Sequence, residues 1–417
     1  MTRRRIHPYG DSAADRLATQ VGFGFSGRGM SRRTLMRGAG VSTLALASTG
    51  WLTACGTGGA KVEADQCVSE DLSDQEKSMV FSNWIGYLDP INRPDTSTME
   101  KFEAETGIKV NYDVYDSNEV LEAKLLVGKS GYDVVFPSAM PYLAREVKGG
   151  IYQKLDFSKL PNAKGVDPKV LGQLKPADPN NEYALPYLMA GTGIGYIKSK
   201  MPKDAPVGSL ALLFDPKTVG SLKSCGVTVL DTPDEVLPAA LSYLGRDPNS
   251  TSDADLKAAG EVVAKARPSY RYFHSSSYIN DLANGAICVA LGYAGDLFQA
   301  RKRAAEAKNG VDIGIFLPKE GAAFNIDVMA IPKDAPHPDN AHKFINYLLD
   351  AKVIGAITSA VGYANAVPAS REFIAKDINE DPVVYPPADA KLYTATLVTQ
   401  KFERERNRLW TRIKTGR

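Results

Sequence analysis

Residues 272–296 constrain this chain more than any other stretch. Ser276 to Asn284 reads as a short helix, closed by Gly285 at the C′ position, where a left-handed residue is favoured. An apolar run follows, Ala286 to Leu291, bounded by glycines. A short uninterrupted run of this kind suits a strand buried on both faces of a parallel sheet. The run stops at Gly292, Tyr293, Gly295 and Asp296. Ligands of open α/β sheets sit outside the carboxyl ends of the strands, so Tyr293 and Asp296 become candidate contacts. The ordinary alternative is a strand-to-helix turn with Asp296 capping a helix from Leu297 to Lys308. Local sequence leaves both open.

The first 54 residues read as a leader rather than as part of a fold. Ser31-Arg32-Arg33-Thr34-Leu35-Met36 has a twin-arginine signal pattern, followed by a weakly apolar stretch from Gly38 to Trp51. Leu52-Thr53-Ala54-Cys55-Gly56 resembles a lipobox, which makes Cys55 the expected lipidated first residue of a mature chain anchored at a membrane. Met30, directly before the pattern, is a candidate start. Gly22 to Gly27 spells G-x-G-x-x-G, but no strand precedes it and no acidic residue follows in a βαβ unit, so a dinucleotide site is rejected. Gly56 to Lys77 is polar and reads as a flexible tether, holding Cys67.

Charge and length limit the partners. Residues 1–54 carry eight Arg and two Asp; removing that +6 from the chain's formal +2 leaves −4 for the remainder. A mildly acidic body lacks the basic patch that nucleic acid requires. The remainder is long enough for two domains, each with its own core. Four His occur in the chain, and no nucleophile elbow, H-E-x-x-H or C-x-x-C pair accompanies them. No metal or cofactor is expected.

The body opens with a strand, Ser78 to Trp84, and then Ile85, Gly86 and Tyr87. Thr98 to Thr106 reads as a helix stopped by Gly107, Ile108 to Val114 as a strand, Asn118 to Val127 as a helix, and Asp133 to Phe136 as a buried strand ending at Pro137-Ser138. This β-α-β-α-β run with right-handed crossovers defines a first lobe. Trp84 and Tyr87 fall where a ligand crevice is expected. Their rings suit an alkylammonium, because the quadrupole attracts the charge and the face stacks on methylenes; two core aromatics are the plain alternative. Asp327 stands between Ile326 and Val328 in an apolar strand, where a carboxylate is costly to bury without a cation. Asp231 to Glu235 begins a helix with Pro and acidic residues, as capping alone would produce. Ala341 to Leu349 and Val353 to Ser359 read as helices, and Asp389 to Lys414 as an amphipathic C-terminal helix.

From about Met79 to the C-terminus the chain resembles the periplasmic putrescine-binding proteins of polyamine ABC importers, which are type II solute-binding proteins. The strings that carry this are Tyr115 to Glu122, Gly191 to Tyr196, residues 272–296 and Lys319 to Ala322. The resemblance implies an α/β fold of two lobes, each a mostly parallel sheet flanked by helices, joined by crossing hinge strands. It places lobe 1 at 78–189 and 319–366, and lobe 2 at 190–318 and 367–417. It implies ligand contacts at Trp84, Tyr87, Ser138, Glu235, Tyr293, Asp296, Asp327 and Tyr363. For Ser138 and Glu235 helix capping remains the alternative. Gly191, Gly193 and Gly195 are expected to give a hinge its backbone freedom. The resemblance also implies a disulfide between Cys225 and Cys288, plausible outside the cytoplasm.

The chain departs from that family at four pocket positions. Ile85 and Gly86 stand where polar or acidic residues are usual, Tyr293 where Trp is found, and Asn325 where an aromatic is found. The aromatic box is thinner unless Phe324 turns inward. The expectation is a lipid-anchored, monomeric binding protein, exported to the periplasm or the outer membrane face. It takes a polyamine, putrescine first, and hands it to an ABC permease. A second reading keeps the fold and binds spermidine or another cationic amine. An exported enzyme is the distant third.

Overall fold

Alternating helix and strand from residue 78 onward build a mixed sheet, parallel at its two ends and antiparallel through its middle. The computed structural model describes residues 70–90 and 97–416. β1 (Ser78–Trp84) lies between β2 (Lys109–Tyr115) and β3 (Val134–Val135), parallel to both. The helices Thr98–Thr106 and Asn118–Val127 make the crossovers. Gly107 ends the first at φ 72°, its N–H donating to Glu103 O, and the Ser117 hydroxyl caps the second by accepting from Val120 N–H.

β4 (Ala184–Ile197) is long because it serves both halves of the molecule. It pairs antiparallel with β7 (Val289–Tyr293), β8 (Ile313–Phe316) and β9 (Ala322–Ala330). β5 (Val227–Val229) is parallel to β7 and to β6 (Tyr270–Phe273). The sheet order is β2-β1-β3-β9-β4-β7-β5-β6, and β10 (Ala364–Asn365) joins β4 at its side. One hydrophobic core draws on residues 79–190 and 326–367. A second large core draws on residues 194–313 together with Phe402, Trp410 and Ile413, and a small third cluster gathers Phe298, Ala364, Ile374, Ile378 and Val384.

Four expectations need correction. The apolar strand begins at Val289 and runs through Tyr293, because Ala286 and Ile287 spend their N–H groups on Asp281 O at the helix end. The C-terminal helix is Gln400–Thr415. The preceding residues stay extended, with β11 (Leu392–Tyr393) beside β9. Thr394, Thr396 and Val398 are β-branched and resist the helix, and the Thr399 hydroxyl caps its true start by accepting from Phe402 N–H. Gly193 and Gly195 have no positive φ. Instead a Cβ on Gly195 would meet Leu297 Cδ2 at 2.6 Å, and one on Gly193 would meet Phe316 O at 2.9 Å, so close packing demands them.

Residues 70–77 are not tether. Leu72 N–H donates to Pro336 O, Asn340 N–H donates to Ser73 Oγ, and Glu76 meets His337 Nε2 at 3.0 Å. Cys225 and Cys288 form a disulfide with their Cα atoms 5.5 Å apart, tying the approach to β5 to the approach to β7. The twin-arginine pattern, Met30, Cys55, Cys67 and residues 55–69 lie outside the described residues.

Candidate functional site

A cavity of about 910 Å³, its mouth included, opens between the two cores. All eight residues expected at the site line it. Its wall also holds Asp116, Glu119 and Asp234, and among the described residues it contains no Lys, Arg or His.

Asp327 points from β9 into this space and is 7% exposed. Its Oδ2 accepts from Tyr87 Oη at 2.6 Å and its Oδ1 from Ser138 Oγ at 2.6 Å. Ser138 sits at a helix N-cap position without capping; its hydroxyl serves the carboxylate. Asn118 fixes that hydroxyl by donating from Nδ2 at 3.1 Å, and it accepts Ser138 N–H at 3.0 Å. Burial pushes the Asp327 carboxyl up to about 6 against these two donors.

Asp296 lies in the first turn of the helix Ala294–Ala307, whose N-cap is Tyr293. Its carboxylate does not cap. It accepts from Tyr278 Oη and from Tyr363 Oη, each at 2.7 Å. Burial pushes it up to about 6. Glu235 lies in the first turn of the helix Pro233–Tyr243 and likewise turns inward. It accepts from Thr192 Oγ1 at 2.7 Å and from Asn325 Nδ2 at 2.8 Å, and burial pushes it up to about 7. Among the described residues none of these three carboxylates has an ion-pair partner, whereas neighbouring Asp234 meets Arg406 at 2.7 Å. Two neutral donors do not replace the solvation that a buried carboxylate loses, so each remains costly to ionise in this structure.

The aromatics do two jobs. Trp84 is half-buried, its indole N–H donates to Phe136 O at 2.8 Å, and its ring tilts against Tyr115 at 4.9 Å. Tyr293 is half-buried at the end of β7. Tyr87 and Tyr363 pack edge to face at 4.6 Å, and both hydroxyls also serve carboxylates. Phe324 does not line the cavity; Asn325 and Asp327, one alternation on, do. Ile85 stands 45% exposed at the cavity wall. Gly86 sits at φ 73°, and its carbonyl accepts from Gln299 Nε2 at 3.0 Å, a bond that joins the two halves of the molecule.

Sequence reasoning missed Thr192, Tyr278, Asn118 and Asp234. Thr192 was visible within Gly191-Thr-Gly193 of the crossing strand, and Asn118 at the first turn of a well-marked helix. Nothing local marks Tyr278, which reads as a core aromatic. The described residues contain no group of three or more His, Cys, Asp or Glu arranged to hold a metal.

This arrangement has known relatives. A family model described as bacterial extracellular solute-binding protein matches residues 97–386. The chain is 48% identical over 353 residues to the putrescine-binding periplasmic protein PotF of Escherichia coli, covering 83% of this chain and 94% of that one. It is 49% identical over 341 residues to the putrescine-binding periplasmic protein SpuD of Pseudomonas aeruginosa, covering 80% and 91%. A putative spermidine/putrescine ABC transporter structure from Listeria monocytogenes matches with TM-score 0.72 at 30% identity, over 82% of this chain and all of that one. The two-lobed type II periplasmic-binding fold is thereby established, and the enzyme alternative falls away. With two cores, one cleft and relatives of this likeness, the chain belongs to the bacterial extracellular solute-binding proteins.

Proposed function

We propose that this chain captures a polyamine, putrescine first, in the interlobe cavity and delivers it to an ABC permease from the outer face of the membrane, where lipid on Cys55 holds it. The observation that carries this reading is the set of three buried carboxylates, Asp327, Asp296 and Glu235, served only by neutral donors. The names of PotF and SpuD support it. Asp327 pairs with one ammonium. Asp296 and Glu235 draw the other. Trp84, Tyr87, Tyr293 and Tyr363 pack the methylenes, and Ser138 holds Asp327 in place. The lobes are residues 78–189 with 319–366, and 190–318 with 367–417; their closure strengthens the ion pairs by excluding water. A monoamine leaves one buried carboxylate without its cation and is selected against.

A second reading keeps the site and takes spermidine or another cationic amine. It is favoured by Asn325, whose short side chain is drawn onto Glu235 instead of filling the cavity.

Heats of binding for the mature chain, Gly56 onward, against putrescine, cadaverine, spermidine and a monoamine decide between them. A saturable diamine signal that disappears in Asp327→Asn is expected. Silence with all four amines overturns the polyamine reading and leaves the fold untouched.

A further inference from the structure

Behind Glu235 a second chamber of about 640 Å³, its mouth included, opens off the interlobe cavity. The two share Pro141, Asp234, Glu235, Asn325 and Ala395, so they adjoin at these side chains. Asn325 is short, and its amide is turned onto Glu235.

The chamber differs in chemistry from the cavity that leads to it. Of the acids at its edge, Asp234 is ion-paired with Arg406 at 2.7 Å, and Glu235 accepts from Thr192 and Asn325 and has no ion-pair partner among the described residues. Beyond them the wall is Leu237, Leu241, Leu256, Val398 and Phe402. Two polar residues at its rim are satisfied, whereas Arg406 Nε is buried without a hydrogen-bond partner among the described residues. Asn249 Nδ2 donates to Thr394 O, and Ser250 Oγ donates to Asp255 Oδ2. The cation in this wall is the Arg406 guanidinium. A further ammonium placed here would lose its water among leucines and face a like charge. An uncharged group loses nothing and gains by leaving water.

We propose that this chamber is a subsite for the uncharged N-substituent of a mono-N-alkylated diamine, whose two nitrogens stay in the interlobe cavity. The inference rests on the polyamine reading of that cavity. One nitrogen lies beside Asp327, and Asp296 and Glu235 draw the other. The substituted nitrogen stays beside Glu235, and its alkyl or arylalkyl tail passes Asn325 into the apolar space.

The test is calorimetric titration of the purified protein with putrescine, spermidine and N-benzyl-1,4-diaminobutane, repeated on Val398→Trp and on Thr396→Trp. Both residues line the second chamber only, and Thr396 is exposed, so at least one variant keeps the fold, as a melting curve will show. The expected result is that the benzyl diamine binds within about tenfold of putrescine. Each filled variant should then weaken it by about tenfold or more and leave putrescine within about threefold. Putrescine binding without benzyl-diamine binding overturns the inference alone, as does benzyl-diamine binding that neither variant changes. Spermidine as the ligand that both variants weaken overturns the uncharged tail. Silence with every amine overturns the polyamine reading, and the inference falls with it.

Discussion

The Tyr363 hydroxyl and Asp296 face each other from the two sides of the cleft: Oη donates to Asp296 Oδ1 at 2.7 Å and accepts Asp296 N–H at 3.2 Å. Tyr363 belongs to the first core, and the helix carrying Asp296 packs its Leu297 into the second. One hydroxyl therefore orients the Asp296 carboxylate and also links the two cores. Tyr363→Phe should keep the ring contact with Tyr87 and lose both bonds. The expected cost is about 1–3 kcal/mol of ligand affinity, roughly tenfold or more. An unchanged dissociation constant by calorimetry would remove Tyr363 from the site.

Binding should release protons near pH 6. Asp296 and Asp327 are pushed up to about 6, and Glu235 to about 7, by burial first. In the unfolded chain such groups titrate near ~4. The ligand-free folded state thus holds more protons than the unfolded state across that window. The stability that these three groups contribute is greatest below about pH 4 and is lost as pH rises through about 6 to 7. A diammonium ligand needs the ionised carboxylates, so affinity moves the opposite way and rises from about pH 5 to 8. Titrations in two buffers of different ionisation heat measure the proton count. Proton uptake, or none, at pH 6 contradicts the assignment.

Gly292 is required by Tyr278. A Cβ at position 292 would lie 2.3 Å from Tyr278 Cε2, and Tyr278 is fully buried. Gly292→Ala should cost about 1–3 kcal/mol in urea unfolding through overpacking. It should also weaken ligand binding, because the displaced phenol is a donor to Asp296. Normal stability with normal affinity would show that the ring has room.

The disulfide should stabilise the second lobe through the unfolded chain. Cys225 and Cys288 are 63 positions apart, and closing a loop of that length removes roughly 4 kcal/mol of unfolded-state entropy. Cys225→Ser with Cys288→Ser should lower the denaturation midpoint accordingly and leave the ligand signal in place at low temperature. A midpoint insensitive to both the substitutions and reductant would dismiss the bond as a source of stability.

Local signals were legible wherever one or two turns of chain decide the outcome. The helix Asn118–Val127 appears with the bounds its pattern implies, and Gly107 stops its neighbour in the left-handed conformation. Asp327 was readable as a candidate because a lone carboxylate in an apolar strand is expensive anywhere, and it does line the cavity. Asp296 and Glu235 were not separable from helix caps, since Asp or Glu in a first turn serves either role. Only the fold decides, by bringing Tyr278, Tyr363, Thr192 and Asn325 within hydrogen-bond reach. Tyr87 and Asp327 are 240 positions apart in sequence and 2.6 Å apart in space. The order of elements, the buried strands and the cost of burying Asp327 follow from the sequence alone, because propensity, capping and burial cost are local. Only the tertiary structure decided which hydroxyls complete each carboxylate and where the chamber behind Glu235 opens, because those depend on contacts between segments far apart along the chain.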